Sequence, residues 1–202
     1  MNTIPSPARL KILAVILILL FVLSLAWLTY DNYRAGSEPW DLVFSAILLS
    51  VPLVLLYFSI GVLVVAGLQK RRQGRISQQI AKFIYRTPRA AGVLMVFFVA
   101  MFALDVFSGG GASFWEMLGG FVMHAFPAIV LGVILAVAWR RPMIGFVAFA
   151  IAAIYFLRLL VRNPLANIGT VLLFSGPMAA IATLFWANWK WQKDFQRVQK
   201  LQ

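Results

Sequence analysis

Apolar residues in this chain run in long unbroken blocks; they neither alternate nor keep to one helical face. Six blocks stand out: 12–30 without a charge, 42–68, 90–107 uncharged until Asp105, 117–139 interrupted only by His124, 143–161 crossed by Arg158, and 165–189. A helix crossing a hydrocarbon layer of about 30 Å needs roughly 20 such residues. Membrane β-strands instead alternate weakly over about 10 residues, which runs such as Ile12-Leu-Ala-Val-Ile-Leu-Ile-Leu-Leu-Phe do not. Helices also satisfy their backbone groups within one segment, as the water-free core demands. The pattern predicts an all-α polytopic bundle of six membrane-spanning helices. The first block has a rival reading, because Arg9 and Lys11 before it and Ser24-Leu25-Ala26 within it suit a signal peptide. Its apolar run continues to Tyr30, which is long for such a peptide, so it is expected to remain as an anchor.

The pattern changes once within the chain. Over 70–89, Ile76, Ile80, Phe83 and Ile84 fall at helical spacing, with Arg75, Ser77, Gln78, Gln79, Lys82 and Arg86 opposite. This suits a short helix lying in the membrane interface. It divides the chain into a hairpin (1–69), a basic linker (70–89), a four-span unit (90–189) starting after Thr87-Pro88, and a basic tail (190–202). The tail repeats the theme with Phe195, Val198 and Leu201.

Composition sharpens the class. Of 202 residues, 62% are hydrophobic and 12% charged, against roughly 45–50% and about 25% in soluble domains. A soluble enzyme, a disordered chain and a small secreted scaffold are excluded. There is no cysteine and one histidine, so thiolate chemistry and any multi-histidine metal site built by this chain alone are excluded; no cofactor is implied. With both termini in the cytoplasm, all of the eighteen Lys and Arg except Arg34, Arg158 and Arg162 fall on that side. Basic residues resist translocation, so this asymmetry sets the expected threading. Trp27, Trp40 and Trp115 then lie at the outer boundary, and Trp139, Trp186, Trp189 and Trp191 at the inner one, where indole rings prefer to sit. The net charge of +12 suits anionic lipid headgroups at Lys70, Arg71, Arg72, Arg75, Trp139, Arg140, Arg141, Trp189 and Lys190. Nucleic acid is not an expected partner, because the basic residues flank apolar spans and do not interleave with exposed aromatics.

Polar groups within a bilayer are costly and are functional candidates for that reason. His124 is the deepest ionisable one, and Pro127 after it frees the carbonyl of Met123 by removing a helical donor. Gly120, His124, Ala128, Gly132 and Ala136 step along one ridge of small residues, where a neighbouring helix can approach. That ridge predicts a His124 that faces protein, either as a structural hydrogen-bonding group or as a relay or ligand. Asp105, Glu116, Arg158 and Arg162 lie near outer helix ends, and Asp105 with Arg158 would neutralise the two charges closest to hydrocarbon. The two arginines, one turn apart, are a candidate anion site. Pro52, Pro127 and Pro177 predict kinks, and a helix broken at Ser175-Gly176-Pro177 would expose carbonyls able to bind an ion. The glycines of 108–113 lack the Gly-Lys-Ser/Thr that would make a phosphate loop. No hydrolase, zinc or nucleotide motif occurs.

The order and spacing of four short motifs carry a resemblance: Phe102-Ala-Leu-Asp105-Val-Phe107, His124-Ala-Phe-Pro127, Ala138-Trp-Arg-Arg-Pro142 with Ile144-Gly145, and Ser175-Gly176-Pro177 followed by Leu184-Phe185. Over about 86–189 the chain resembles a family of uncharacterised small bacterial four-helix membrane proteins. The resemblance implies an integral inner-membrane protein and brings no activity, with Asp105, His124 and Trp139–Arg140 as the positions to test. The leading expectation is a non-enzymatic accessory or scaffolding subunit, with other membrane subunits or further copies of itself as partners. The alternative is a transporter of a small solute, ion or proton using the polar residues around His124. A haem- or quinone-linked redox protein or a lipid-handling protein is less favoured.

Overall fold

The computed structural model describes residues 7–74, 76–108, 113–162 and 168–192, without the side chains of 7, 108 and 159–162. Arg75, the side chain of Arg162, the glycines of the outer loop and the tail beyond 192 lie outside the described residues. Described residues form α1 (Pro7–Arg34), α2 (Pro39–Gln73), α3 (Gln78–Met101), α4 (Phe114–Arg140) and α5 (Pro142–Arg162), followed by α6 (Ile168–Lys190). A 3₁₀ segment, Phe102–Ser108, prolongs α3. Among the described residues five helices are long and apolar enough to cross a membrane; in α5 the apolar stretch Pro142–Arg158 is shorter. The all-helical class holds, and five candidate spans stand where the sequence predicts six.

Successive helices run antiparallel. The hydroxyls of Ser24 and Tyr57 are 2.6 Å apart, and Asn32 Nδ2 donates to Ser45 Oγ at 3.3 Å, tying α1 to α2. Arg89, Gly92 and Val106 on the α3 side face Trp139, Leu135 and Gly120 of α4 in reverse order. Phe149 and Phe156 of α5 stack on Phe185 and Phe174 of α6. One end of the bundle therefore gathers Arg9, Lys11, Lys70–Arg72, Lys82, Arg86, Arg140, Arg141 and Lys190, while Asp31, Glu38, Asp41, Asp105, Glu116 and Arg158 occupy the other.

The core lies among α3, α4, α5 and α6. Met95, Phe98, Phe149, Met178, Ile181 and Phe185 are fully enclosed, joined by Leu55 of α2. Glycines set the closest approaches: a Cβ on Gly145 would lie 2.8 Å from the Phe185 ring and 2.9 Å from the Ala138 Cβ. By contrast α1 leans on the rest, with Leu28 its only buried apolar residue among the described side chains.

Two local features differ from expectation. The basic linker and the third span are one helix, running through Pro88 without a break. A proline removes a single helical hydrogen bond, and here both its neighbours and Pro88 itself are buried, so packing holds the helix together. The amphipathic face is also partly covered by protein: Ile76, Ala81 and Ile84 pack with Ala66 and Ala187, while Phe83 stays exposed. A separate helix in the membrane interface is thus replaced by the first turns of α3. The turn feeding it is fixed at two points. Gly74 takes a left-handed φ of 67°, a conformation open to glycine at little cost, and the Ser77 backbone N–H donates to Gln69 Oε1 at 2.9 Å.

Candidate functional site

The strongest concentration of buried polarity sits at the basic end, around Arg89. This residue is 5% exposed. It lies just before Ala90-Ala91-Gly92, small residues that let α4 close onto α3; a Cβ on Gly92 would meet Leu135 Cδ1 at 2.7 Å. That approach brings the end of α4 within reach, and the Arg89 guanidinium donates to the Trp139 carbonyl at 2.9 Å. It also donates to the Tyr85 carbonyl one turn earlier. Its carbon centre stands 3.8 Å from the Tyr85 ring centroid and 6.0 Å from that of Trp139, within the range of cation–π attraction.

The chemistry is that of a cross-helix cap. The last carbonyls of a helix lack internal donors, and the negative end of its dipole favours a cation. Trp139 is the penultimate residue of α4, so Arg89 serves both needs from a neighbouring helix. Among the described residues its Nε finds no partner, and Ser59 Oγ and Asn188 Nδ2 are likewise buried without one. The sequence hides Arg89 because Thr87-Pro88 reads as a boundary, which leaves Arg89 as the last residue of the basic linker. The available signal was the pairing of an arginine with three small residues at the start of an apolar run.

The residues singled out from sequence are not gathered into one place. His124 is exposed, and its Nδ1 lies 2.9 Å from the Gly120 carbonyl. The expected small-residue ridge does pack at Ala128, which is 4% exposed, and at Gly120, whose missing Cβ would sit 3.0 Å from Val106. Residues four apart drift by about 40° around a helix of 3.6 residues per turn, and the imidazole folds back along its own helix instead of toward α3. The protein-facing placement predicted for His124 therefore fails within the described chain.

Ser175 is buried and donates to the Ala153 carbonyl at 2.8 Å, which commits its hydroxyl to joining α6 and α5. The break expected at 175–177 is a π-helical turn, Val171–Ser175, closed by Gly176 donating to the Val171 carbonyl. Pro177 follows it, buried, while Pro52 and Pro127 lie within continuous helices. Asp105 is exposed on the 3₁₀ segment, which packs on α3 and α4, and Arg158 is exposed on α5, which packs on α4 and α6. At the basic end Lys70 is partly buried, and Arg71, Arg72, Trp139, Arg140, Arg141, Trp189 and Lys190 are exposed. The Lys190 ammonium stands 4.3 Å from the Trp186 ring centroid. No group of three or more His, Asp or Glu able to hold a metal occurs among the described residues.

Glu116 has a local structural role. Ser113 and Glu116 form a capping box, with the Ser113 N–H donating to Glu116 Oε2 at 2.8 Å and the Glu116 N–H to Ser113 Oγ at 3.4 Å. The Ser-x-x-Glu spacing is the usual sequence mark of this device.

Comparison with curated proteins and with solved structures yields no match. Comparison with protein families matches residues 77–197, more than half of the chain, to a domain of unknown function, DUF7670. The matched stretch takes in α3 to α6 and with them Arg89, the core and the π turn, and leaves the α1–α2 hairpin outside. Five helices long and apolar enough to span a membrane, three of them in the matched stretch, mark a multi-pass membrane protein, and the chain belongs to the DUF7670 family.

Proposed function

We propose that this protein is a non-catalytic accessory or scaffolding subunit of a larger membrane assembly. In this reading it spans a bacterial inner membrane six times with both termini in the cytoplasm. The observation that carries the proposal is the position of His124. It lies about 10 Å along α4 from Met117, where its apolar block begins, at 1.5 Å per residue, a third of the way across a core of about 30 Å. Its neighbours Met123 and Phe126 are 75% and 61% exposed. A carbonyl only accepts, so Nδ1 donates to Gly120 and Nε2 is left as an acceptor. An imidazole acceptor against hydrocarbon is unfavourable, and a donor on a neighbouring subunit would satisfy it. The basic end supports the same threading, since cations collect on the cytoplasmic side. The transport reading draws less support, because the described core is filled by Phe98, Phe149, Phe185, Met95 and Met178.

The test is the mass of the intact particle purified in mild detergent at native expression. A particle containing other polypeptides, much heavier than the 22.6 kDa chain, is the expected result, and His124→Phe should shift it toward lighter species. A lone monomer or homo-oligomer sinks the accessory reading. Transport assays with the His124→Phe variant would then come first.

A further inference from the structure

We infer that the groove between α1, α2 and the start of α3 is a binding site for one acyl chain of an anionic phospholipid, whose headgroup sits on the cations next to its lining at the basic end of the bundle. The groove has a volume of about 600 Å³ and is lined by Leu10, Leu17, Tyr57, Gly61, Ile80 and Phe83 among others. That is within the roughly 300–1,000 Å³ of small-molecule sites. Its floor exists because α1 and α2 approach closely at Gly61, where a Cβ would lie 3.2 Å from Leu17 Cδ1. Near the middle of the bundle its lining includes Tyr57, whose hydroxyl is paired with Ser24 at 2.6 Å.

The groove reaches the basic end of the bundle through Leu10 and Phe83. Arg9 and Lys11 flank Leu10 on α1, and Lys82 and Arg86 flank Phe83 on α3, all four exposed. No acid belongs to this end among the described residues; Asp31, Glu38, Asp41, Asp105 and Glu116 are all at the other. A second groove between α1 and α2, of about 510 Å³ and lined by Tyr30, Tyr33 and Leu42, reaches that acidic end. It offers largely apolar walls beside Asp31 and Asp41, with Arg34 the cation next to its lining. Charge complementarity therefore assigns the anionic lipid to the first groove and not to the second. An unpartnered Lys or Arg at an anionic lipid surface is worth roughly fivefold in affinity, so a pair of them selects a phosphate-bearing anionic headgroup over a zwitterionic one.

The experiment uses full-length protein reconstituted in vesicles of equal parts phosphatidylglycerol and phosphatidylcholine with matched acyl chains. Mass spectrometry of the intact particle then counts the lipid each molecule retains. Wild type should retain phosphatidylglycerol preferentially. Lys11→Gln with Lys82→Gln should reduce that preference on the order of twentyfold, since each cation contributes roughly fivefold. Ala14→Trp, at an exposed position in the groove wall, should abolish retention while leaving the cations in place. Val54→Trp, half-exposed on the opposite wall, repeats the test if Ala14→Trp does not fold. Equal retention of the two lipids by wild type overturns the site. So does a phosphatidylglycerol preference that survives both tryptophans, which would mean surface charge alone. A dimer that the tryptophans dissociate whatever the lipid also overturns it, because the groove would then hold a second copy of the chain.

Discussion

Gly145 stands where α4, α5 and α6 meet, and adding one methyl group there tests how the core is built. In Gly145→Ala the new Cβ would lie 2.8 Å from Phe185 Cδ2, 2.9 Å from Phe185 Cγ and 2.9 Å from the Ala138 Cβ. None of these atoms can give way cheaply. Phe185 is fully buried and stacked on Phe149 at a centroid distance of 6.0 Å, and the Ala138 Cβ moves only with the α4 backbone. Overpacking of this kind costs about 1–3 kcal/mol. Against it stands the helix propensity gained on replacing glycine by alanine, about 1 kcal/mol. Gly119→Ala isolates the second effect, because nothing lies within 4 Å of its added Cβ. Gly145→Ala should therefore be neutral to about 2 kcal/mol destabilising and Gly119→Ala about 1 kcal/mol stabilising, a difference of about 1–3 kcal/mol and on the order of 5 °C for a chain of this size. Thermal unfolding in detergent, followed by the fluorescence of the seven tryptophans, measures it. Phe185→Leu should partly relieve Gly145→Ala, giving a favourable coupling in the double-mutant cycle. If Gly145→Ala melts at or above Gly119→Ala, the three-helix junction does not have the tightness described.

Three further outcomes are expected. Arg89→Ala should lower stability by about 2–4 kcal/mol, by opening a cavity and leaving the Trp139 carbonyl without its donor; an unchanged melting temperature would show that the cap contributes nothing. Ser175→Ala should cost about 0.6–1 kcal/mol, the usual worth of a hydrogen bond between membrane helices, and a loss of several kcal/mol in the same melt would point to a larger role for the π turn. If Asp105 and Arg158 neutralise one another, Asp105→Asn and Arg158→Gln should each lower expression and thermal stability and the double variant should lose no more than either alone; two unaffected single variants would remove the pair.

Much of the architecture was legible before any coordinates. Block length alone marks the helices, since a segment near 20 apolar residues has few stable alternatives in or out of a bilayer. The segregation of Lys and Arg to one end follows from the same blocks. Tertiary contacts overrode local signals at particular residues. Pro88 has the mark of a boundary, yet α3 passes through it because its neighbours are buried. Ile76 and Ile84 have the periodicity of a membrane-surface helix, and that periodicity is blind to whether lipid or protein covers a residue; α2 and α6 cover these two.

The candidate site divides along the same line. That His124 and Ser175 lie within apolar blocks, and that Arg89 begins one, belongs to the sequence. Which of them is enclosed does not, because an i+4 ridge drifts around its helix and the neighbour's position decides which part it meets. The tertiary structure turned His124 outward, committed Ser175 to the Ala153 carbonyl and placed Arg89 on the end of α4. By itself the sequence determined the solvent of this protein and the ends of its bundle, because both depend on the free energy of single segments in lipid or water. The core around Phe185, the cap at Trp139 and the groove beside α1 were decided only by packing, because each is built from residues far apart in the chain.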